Sequence, residues 1–323
     1  MTIGGEIQLY HHPRKRTLTS RILVGTAFRV CASMCGVAVV VIMAGILIEL
    51  LQNSRQAITT FGWRFLVSAE WDPVAGKFGA LSSIYGTVVS TLIALIIAVP
   101  ASLVIALFLV ELCPKALSGF FRTAIELLAA IPSIIYGMWG LFVFAPFMAR
   151  HIQPGLGKYL GFMPLFQGPP MGIGMLTAGV ILALMILPFV SSVMRDVLQM
   201  VPSVMKESAY GLGATTWEVT KDVSLRYGFP GMVGAVFLGL GRAIGETMAV
   251  TFVIGNDHSL SMSLFASGNT IASTLANEFT EASEPLYLSA LVELGLVLFL
   301  MASAFQLIAQ LWLRAAAAKM GAR

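Results

Sequence analysis

Charged residues are scarce in this chain: Asp, Glu, Lys and Arg together make up 11% of its 323 residues, whereas 57% are hydrophobic. An ordinary globular domain carries roughly 25% charged residues. A soluble domain of this length needs a charged surface that the sequence does not supply, and the mean hydropathy of +0.86 agrees. A water-soluble enzyme is therefore excluded, and a membrane protein is indicated.

Cysteines and catalytic motifs are also few or missing. Three cysteines without a CxxC pair give neither a disulfide framework nor a metal-ligand spacing. The sequence has no phosphate loop, no HExxH or GxSxG motif and no paired-carboxylate arrangement. We therefore predict no catalytic residue, metal or cofactor, and we expect the chain to hydrolyse nothing by itself. The histidines lie in the N-terminal tail and in predicted loops and are interpreted as solvated: His11, His12, His151 and His258.

Long apolar runs predict six membrane-spanning helices. A helix needs about 20 apolar residues to cross the hydrocarbon core of a bilayer. The predicted spans are Val30–Leu51, Gly86–Val110, Thr123–Ala149, Met171–Met194, Met232–Ile254 and Leu288–Leu313. The first run has no small-residue cleavage site at its end, so it is expected to be retained. The predicted fold is all-α, a polytopic membrane bundle.

The distribution of Lys and Arg predicts the orientation. Fourteen of these residues lie in the N-terminal tail, the second and fourth loops and the C-terminal tail, against five in the other loops. Since positive residues accumulate in cytoplasmic segments, both termini are predicted to be cytoplasmic. This topology explains the pI near 9.0 better than a nucleic-acid surface does, and no nucleic-acid partner is predicted.

These features divide the chain into four parts. Residues 1–29 form a basic cytoplasmic tail, and residues 30–75 contain the first span and an outer loop. Residues 76–314 hold the other five spans, with a cytoplasmic loop at 195–231, and residues 315–323 form a second cytoplasmic tail. Because no segment outside the membrane is long enough for a folded domain, chemistry that needs a soluble site must come from another chain.

The loop at 195–231 is long for a connection between two spans. Its pattern predicts two short helices around a glycine turn at Gly211 and Gly213. Two interpretations stay open on the pattern alone. The segment is either an amphipathic helix that lies on the membrane surface or a short helix offered to a cytoplasmic partner.

Two charges lie inside the fifth predicted span. An Arg near the middle of a span costs roughly 2.5–3.5 kcal/mol on insertion scales, so it persists only where it is paired or faces water. Arg242 and Glu246 are spaced i, i+4, which predicts that they share a helix face and can pair. One interpretation is a packing interface, with Gly241 and Gly245 allowing another helix to approach. The other is that the Arg242 guanidinium binds an oxyanion while Glu246 limits how tightly the anion is held.

The loop carries a recognisable motif. Glu207-Ser208-Ala209, with Gly213 four residues later, resembles the EAA–G motif of ABC importer permeases. The resemblance implies that this segment is the coupling helix, which in that family sits in a groove of the ATPase. Ser208 replaces the usual second Ala, which is a small change. Arg226 stands where Pro is usual, which leaves the path of the chain after the motif open.

Longer stretches narrow the resemblance. Phe78–Leu81 and Gly239–Val250 are similar to the PstC type of phosphate importer permease, and the similarity extends from about the first outer loop to the end of the sixth span. It implies the type I ABC importer permease fold and places Arg242, Glu246 and Thr247 on the translocation path. The implied function is that of a non-catalytic permease subunit, which forms half of a phosphate pathway and is driven by a separate ATPase.

The resemblance also implies partners and a location. The partners are a PstA-type permease as the second half of a heterodimer, two copies of a PstB-type ATPase below it and a PstS-type phosphate-binding protein outside. The implied location is the bacterial inner membrane, where lipid surrounds the spans.

Three alternatives stay open. Molybdate, tungstate and sulfate permeases share the coupling motif, and an Arg by itself does not distinguish one tetrahedral oxyanion from another. An ion-coupled secondary transporter, with Arg242 and Glu246 as a relay, predicts repeated halves and a broken helix at the midplane, and the sequence shows no repeat. A purely structural assembly subunit predicts that Arg242→Ala leaves uptake intact.

Overall fold

The computed structural model describes residues 18–321, and helices dominate that range. The chain divides into two units, residues 1–49 and residues 50–323. Helix α1 (Leu18–Asn53) supplies the described part of the first unit. Among residues 18–321, β-type pairing is limited to two isolated bridges between loop residues. The prediction of an all-α fold is confirmed.

The second unit is built from helices of very different length. In chain order they are α2 (Arg55–Phe61), α3 (Arg64–Val67), α4 (Leu81–Leu107), α5 (Lys115–Ala130), α6 (Ser133–Trp139), α7 (Ala145–Phe147), α8 (Gln153–Leu160), α9 (Met175–Gln199), α10 (Ser203–Gly211), α11 (Thr216–Glu218), α12 (Arg226–Ile244), α13 (Met248–Val253), α14 (Ile271–Glu278) and α15 (Pro285–Gly321). π-Helical turns extend or join several of them, at Phe108–Leu112, Gly140–Phe144, Met148–Ile152 and Val219–Leu225.

Six helical stretches within residues 18–321 are long and apolar enough to cross a membrane, as predicted. They are Gly25–Asn53, Leu81–Leu112, Ser133–Leu160, Met175–Gln199, Thr216–Ile244 and Pro285–Ala315. Of the two predicted tails, residues 1–17 and 322–323 lie outside the described residues. The remainder of each tail is helical, because α1 begins at Leu18 and α15 ends at Gly321.

The third span begins later than its apolar run predicts. Extended backbone at Ile131 and Pro132 separates α5 from α6. Since a residue before proline is biased away from the helical conformation, the chain breaks here instead of kinking within one longer helix. α5 is a separate amphipathic helix, with an ion pair of 2.8 Å between Arg122 Nε and Glu126 Oε1 on its surface. The start of the predicted span Thr123–Ala149 is therefore wrong.

The fifth span differs from its prediction in two ways. The helix begins at Thr216, well before the apolar run, and continues through a π-helical turn into α12 without interruption. It then ends at Ile244, and the turn Gly245–Thr247 separates it from the short helix α13. The predicted single helix Met232–Ile254 is thus wrong, because the chain forms two helices with a break between them.

The core of the second unit lies where α4 and α9 pack side by side. Ala94 and Ala98 of α4 and Ala178 of α9 are fully buried there. A Cβ added at Gly179 would lie 2.6 Å from the Cβ of Ile93, so a side chain at this position would push the helices apart. Small residues at such contacts let helices in a membrane gain van der Waals packing. α13 joins the same cluster and packs against α9.

α14 packs on α4 and on α13. α10 lies at the opposite end, next to the start of α12. The backbone N–H of Ile271 donates to the hydroxyl of Thr87 at 3.0 Å, which fixes the first turn of α14. Thr270 and Ser273 form a capping box at the same turn.

Candidate translocation pathway and coupling surface

Arg242 lies in the last turn of α12 with an exposed side chain. Its guanidinium carbon is 5.8 Å from the ring centroid of Phe189 on α9, which is a cation–π distance. Gly241 and Gly245 beside it are also exposed, and a Cβ added at either would meet no other helix among the described residues. We call the surface formed by Gly241, Arg242 and Gly245 the arginine face. No helix of residues 18–321 packs on the two glycines, and within that range the arginine face is open.

Glu246 lies in the break and does not pair with Arg242. The structure describes both residues, and the Glu246 carboxylate contacts the backbone instead: its Oε1 accepts a hydrogen bond from the N–H of Ala249 at 3.2 Å. The predicted ion pair on one helix face is wrong because α12 ends between the two residues, at Ile244. Glu246 caps the first turn of α13, where a carboxylate satisfies an N–H group that has no partner within the helix.

Thr247 is the residue immediately before α13 and is half-buried. Its hydroxyl donates to the carbonyl of Gly245 at 3.3 Å. Its carbonyl accepts from the N–H of Thr251 at 3.0 Å and from the Thr251 hydroxyl at 2.8 Å. The turn after α12 is therefore closed by local hydrogen bonds, and this geometry fixes where Arg242 is presented.

α6 lies directly against the first turn of α13. A Cβ added at Gly137 would lie 3.0 Å from the Cα of Ala249 and 3.2 Å from the carbonyl oxygen of Met248. The two backbones therefore approach as closely as a glycine allows. Sequence reasoning located the third and fifth spans but had no signal for this contact.

α10 carries the EAA-like motif, and none of its residues is buried. Glu207 and Ser208 are exposed, and Ala209 is half-buried. The Ser208 hydroxyl donates to the carbonyl of Val204 at 2.7 Å, so the replacement of Ala by Ser leaves no unsatisfied polar group. Large apolar side chains are exposed on α10 and just after it: Val204, Met205, Tyr210, Leu212 and Trp217. A cluster of exposed apolar side chains marks an interaction surface.

Gly213 ends α10 with a left-handed φ of +87°. Its N–H donates to the carbonyl of Tyr210 at 2.9 Å, and the N–H of Ala214 donates to the carbonyl of Ala209 at 3.1 Å. This pair of hydrogen bonds is a Schellman motif, which requires a left-handed residue at the position of Gly213. The predicted glycine turn is confirmed at Gly213, whereas Gly211 belongs to α10 and does not break the helix. The left-handed φ explains why the motif ends in glycine.

The chain leaves the glycine turn as a continuous helix. Thr215 caps α11, and its backbone N–H donates to Glu218 Oε2 at 2.7 Å in a capping box. The helix then passes through Val219–Leu225 into α12, whose first residue is Arg226. Arg226 stands in place of the usual Pro, and the proline in this part of the helix is Pro230, inside α12. The helix continues past Pro230 to the turn of Arg242.

Sequence reasoning missed Glu111, which directly follows the predicted span Gly86–Val110. In the structure its Oε1 accepts hydrogen bonds from Lys206 Nζ at 2.7 Å and from Ser224 Oγ at 2.8 Å. The partners are 95 and 113 positions away in the sequence. No local pattern could have indicated these contacts, because only the packing of the spans brings the three residues together.

The end of the bundle that holds α14 contains a polar cluster centred on Glu278. Its Oε2 accepts from Trp71 Nε1 at 2.6 Å and from the Tyr287 hydroxyl at 2.8 Å, and its Oε1 lies 2.9 Å from His258 Nε2. Burial acts to raise the pKa of Glu278, but the hydrogen bonds from His258, Tyr287 and Trp71 and the His258 charge outweigh it, so the pKa lies below its ordinary value. The Trp71 and His258 rings are stacked, 5.3 Å apart. The interpretation of His258 as a solvated residue is wrong.

The other histidines add no site. His151 is exposed and stacks on Phe147 with ring centroids 5.0 Å apart, while His11 and His12 lie outside the described residues. Within the part of the chain that the structure describes, no group of His, Cys, Asp and Glu side chains is arranged to hold a metal ion.

Comparisons with known proteins identify the family. The family model described as "Binding-protein-dependent transport system inner membrane component" matches residues 98–321, more than half of the chain. The chain belongs to this family. As a binding-protein-dependent transport component with six apolar helices among its described residues, it is a multi-pass inner-membrane protein.

Relatives place the chain more closely within the family. The phosphate transport system permease protein PstC of Mesorhizobium japonicum is 51% identical over 313 residues, which cover 96% of this chain and 96% of the relative. The proteins of the same name from Pasteurella multocida and Haemophilus influenzae are 52% and 49% identical, over 86% and 92% of this chain and 88% and 96% of their own lengths. The chain is therefore a permease of the PstC type.

Solved structures confirm the fold. A bacterial alginate ABC transporter in complex with its periplasmic protein has a chain that matches with a TM-score of 0.60 and 15% identity, over 91% of this chain and 96% of that one. An inward-facing MetNI methionine ABC transporter matches with a TM-score of 0.52 and 18% identity, over 76% and 99%. The predicted type I ABC importer permease fold is thus correct.

Proposed function

We propose that this chain is the transmembrane permease subunit of an ATP-driven importer of inorganic phosphate. Relatives at about half identity over nearly the whole chain carry the name of phosphate permeases, which supports the substrate class. The arginine face supplies the pathway contact, and α10 supplies the contact with the ATPase.

The observation that carries the proposal is the continuous helix between these two surfaces. The stretch Thr216–Ile244 contains 29 residues, begins just after the turn that ends α10, and ends in the turn of Arg242. At a rise of 1.5 Å per residue it is about 40 Å long, comparable to a bilayer with its headgroups. A displacement at the start of this helix is therefore passed along one element to the arginine face, with a π-helical turn at Val219–Leu225 and Pro230 inside it.

The arginine face suits an oxyanion in transit. A guanidinium presents several N–H donors in a plane and binds phosphate oxygens bidentately. Arg242 is exposed and engaged by the Phe189 ring, not by a carboxylate, so it can meet an anion and release it again. Glu246 and Thr247 act indirectly, because they fix the break at which Arg242 is presented.

The open arginine face supports a second permease chain on the opposite side of the pathway. Gly241 and Gly245 leave space beside Arg242 that no described helix of this chain fills. A PstA-type permease is the partner that completes the pathway in this proposal. This chain then supplies one half of the walls and one of the contacts that the anion makes.

The exposed apolar surface of α10 supports docking of a PstB-type ATPase, with Glu207 at its centre. In this proposal α10 and both termini are cytoplasmic, which agrees with the excess of Lys and Arg in the N-terminal tail, the second and fourth loops and the C-terminal tail. A PstS-type binding protein docks at the α14 end, outside. ATP binding closes the ATPase pair and opens the pathway outward, and hydrolysis resets it inward, while this chain performs no catalysis.

The test is uptake of radiolabelled phosphate by the complete importer in vesicles, measured together with ATP hydrolysis. We expect Arg242→Ala to abolish uptake while ATP hydrolysis still responds to the binding protein. We expect Glu207→Ala to lower uptake and to uncouple ATP hydrolysis from it. Arg64→Ala, which removes an exposed Arg far from both surfaces, is the matched control. Retained uptake in Arg242→Ala would make the chain a structural assembly subunit.

The same vesicles separate the other oxyanions. We expect excess molybdate, tungstate or sulfate to leave phosphate uptake unchanged. Uptake of one of these anions in preference to phosphate would assign the chain to a different substrate.

An ion-coupled secondary transporter is the remaining alternative function, and one structural observation is compatible with it. The break at Gly245–Thr247 is a discontinuous span of the kind that such transporters use. The type I importer fold and the exposed α10 favour the ATP-driven function. Uptake that persists with an ATPase-dead partner and collapses with the proton gradient would reverse this conclusion.

A further inference from the structure

The carboxylate of Glu111 lies where three segments of the chain meet. Glu111 belongs to the π-helical turn that ends α4, Lys206 to α10, and Ser224 to the π-helical turn that leads into α12. One oxygen, Oε1, accepts from both Lys206 Nζ and Ser224 Oγ, at 2.7 and 2.8 Å. We call Glu111, Lys206 and Ser224 the carboxylate clamp.

Both π-helical turns have a geometric effect on the clamp. In the first, the N–H of Cys113 donates to the carbonyl of Phe108, five residues back, at 2.7 Å. The wider turn changes the direction in which residues 108–112 point relative to an ideal α-helix, and Ser224 lies in the second such turn, at Val219–Leu225. π-Helical turns recur at functional sites, since they cost hydrogen-bond geometry and persist where a side chain must be redirected.

The clamp is shielded from water, which makes it stronger than a surface ion pair. The exposed fractions of the two charged side chains are 9% for Glu111 and 19% for Lys206, and Ser224 is fully buried. Exposed ion pairs contribute little to stability, but removal of one partner from a buried pair leaves an uncompensated charge. The clamp is therefore a stiff connection.

α10 contacts the bundle beside the π-helical turn that carries Ser224. None of its residues is buried, so only limited hydrophobic packing holds it against the spans. Lys206 of α10 forms an ion pair with Glu111 in the π-helical turn that ends α4. α4 in turn packs along α9 in the core.

We propose that Glu111 is a positioning residue for energy coupling: it ties α10 to α4 and to the start of α12, so that a movement of α10 moves both pathway helices together. This inference rests on the proposed function, in which α10 receives the ATPase. Without the carboxylate, α10 can follow the ATPase while the pathway helices stay in place. ATP is then hydrolysed with less phosphate carried for each ATP.

The experiment measures phosphate uptake and ATP hydrolysis in the same vesicles containing the complete importer. We expect Glu111→Gln to lower the number of phosphates carried per ATP by about five- to tenfold, the size of effect that coupling residues produce. Ser224→Ala, which removes one of the two donors, should lower the ratio by about twofold. Glu70→Gln is the matched control. It removes the ion pair between Glu70 Oε2 and Lys77 Nζ, which are 3.3 Å apart and exposed to water.

A charge exchange tests whether the contact itself matters. We expect Glu111→Lys alone to lose coupling and Glu111→Lys combined with Lys206→Glu to regain part of it. A merely structural role predicts that uptake and ATP hydrolysis fall together, in proportion to the amount of assembled complex, with the ratio unchanged. That result, or a wild-type ratio in both Glu111→Gln and Ser224→Ala, overturns the inference.

If Glu111→Gln does not assemble, Ser224→Ala and Lys206→Met decide the question by the same ratio. The proposed function fails in a different way, because wild-type vesicles would then show no ATP-dependent phosphate uptake. The two failures are therefore distinguishable.

Discussion

The carboxylate of Glu246 accepts a hydrogen bond from the backbone N–H of Ala249 at 3.2 Å, across the first turn of α13. This contact makes Glu246 a helix cap and not the counter-ion of Arg242. The break in the fifth span is therefore a built turn, and the exposed guanidinium at its edge is free of a carboxylate partner among the described residues.

A cap and a counter-ion respond differently to substitution at Glu246. An amide oxygen still accepts from the Ala249 N–H, so we expect Glu246→Gln to retain most uptake and stability. Glu246→Ala removes the acceptor and should lower the free energy of unfolding by about 1 kcal/mol, as for other N-cap losses. Uptake and thermal unfolding in detergent measure the two effects. Equal losses in both variants would restore the counter-ion role.

The glycine that ends α10 is required by its backbone and not by its surroundings. Nothing lies within 4 Å of a Cβ added at Gly213, but its φ of +87° is unfavourable for any other residue. We expect Gly213→Ala to destabilise the loop by about 1 kcal/mol and to raise ATP hydrolysis that is not accompanied by uptake.

Gly211 is the matched control for that prediction. A Cβ there also meets nothing within 4 Å, but the residue belongs to α10 and its φ is not in the left-handed range. Gly211→Ala should stabilise the helix by up to about 1 kcal/mol. If both variants behave alike in thermal unfolding and in coupling, the left-handed turn is not the reason for glycine at position 213.

The contact between α6 and α13 predicts an intolerant position in the third span. A Cβ at Gly137 would lie 3.0 Å from the Cα of Ala249, a backbone atom that has no room to move. We expect Gly137→Ala to lower the free energy of unfolding by about 1–3 kcal/mol through overpacking and to reduce uptake by shifting α13. Gly119→Ala on α5, where a Cβ has open space, serves as the control in the same thermal unfolding and uptake assays.

The Glu278 cluster predicts a dependence of stability on pH. A carboxylate whose pKa falls on folding stabilises the folded state above its ordinary pKa of 4.5, and the contribution disappears as the pH falls through the lowered value. At neutral pH we expect Glu278→Gln to lower the free energy of unfolding by about 1–3 kcal/mol. The reason is that the N–H of Trp71 and the hydroxyl of Tyr287 then lose a charged acceptor.

The difference between wild type and Glu278→Gln should narrow as the pH is lowered below 4.5. Thermal unfolding in detergent across this range measures it. Glu281→Gln, an exposed acid on the same loop, should show no such difference. A constant gap between wild type and Glu278→Gln at all pH values would mean that the carboxylate does not titrate with folding.

The number and order of the spans could be predicted because apolar length is a strong local signal. The breaks within the third and fifth spans could not be predicted, although the sequence contains proline and glycine at those positions. Thr123–Ala149 was predicted as one span, yet Ile131, the residue before Pro132, takes an extended conformation and the helix ends there. Gly245 was interpreted as a packing residue, while in the structure it follows the end of α12.

The residues of the candidate site likewise fall into those that could be predicted from local sequence and those that could not. The loop motif predicted an exposed helix and a glycine turn, since Glu207 to Gly213 form their contacts within a few residues. Glu111 was assigned no role and His258 was interpreted as solvated, because no local sequence pattern indicates their partners. Position along a span indicates depth in the membrane, but it does not indicate which other helix will be met at that depth.

The open space at Gly241 and Gly245 has a consequence for selectivity. In the proposed pairing with a second permease chain, this protein encloses its cargo on one side only, so the groups that contact phosphate along the pathway are divided between two polypeptides. Substitutions in this chain alone would then change the rate of passage more readily than the choice of ion. A change of cargo would require coordinated changes on both sides of the conduit.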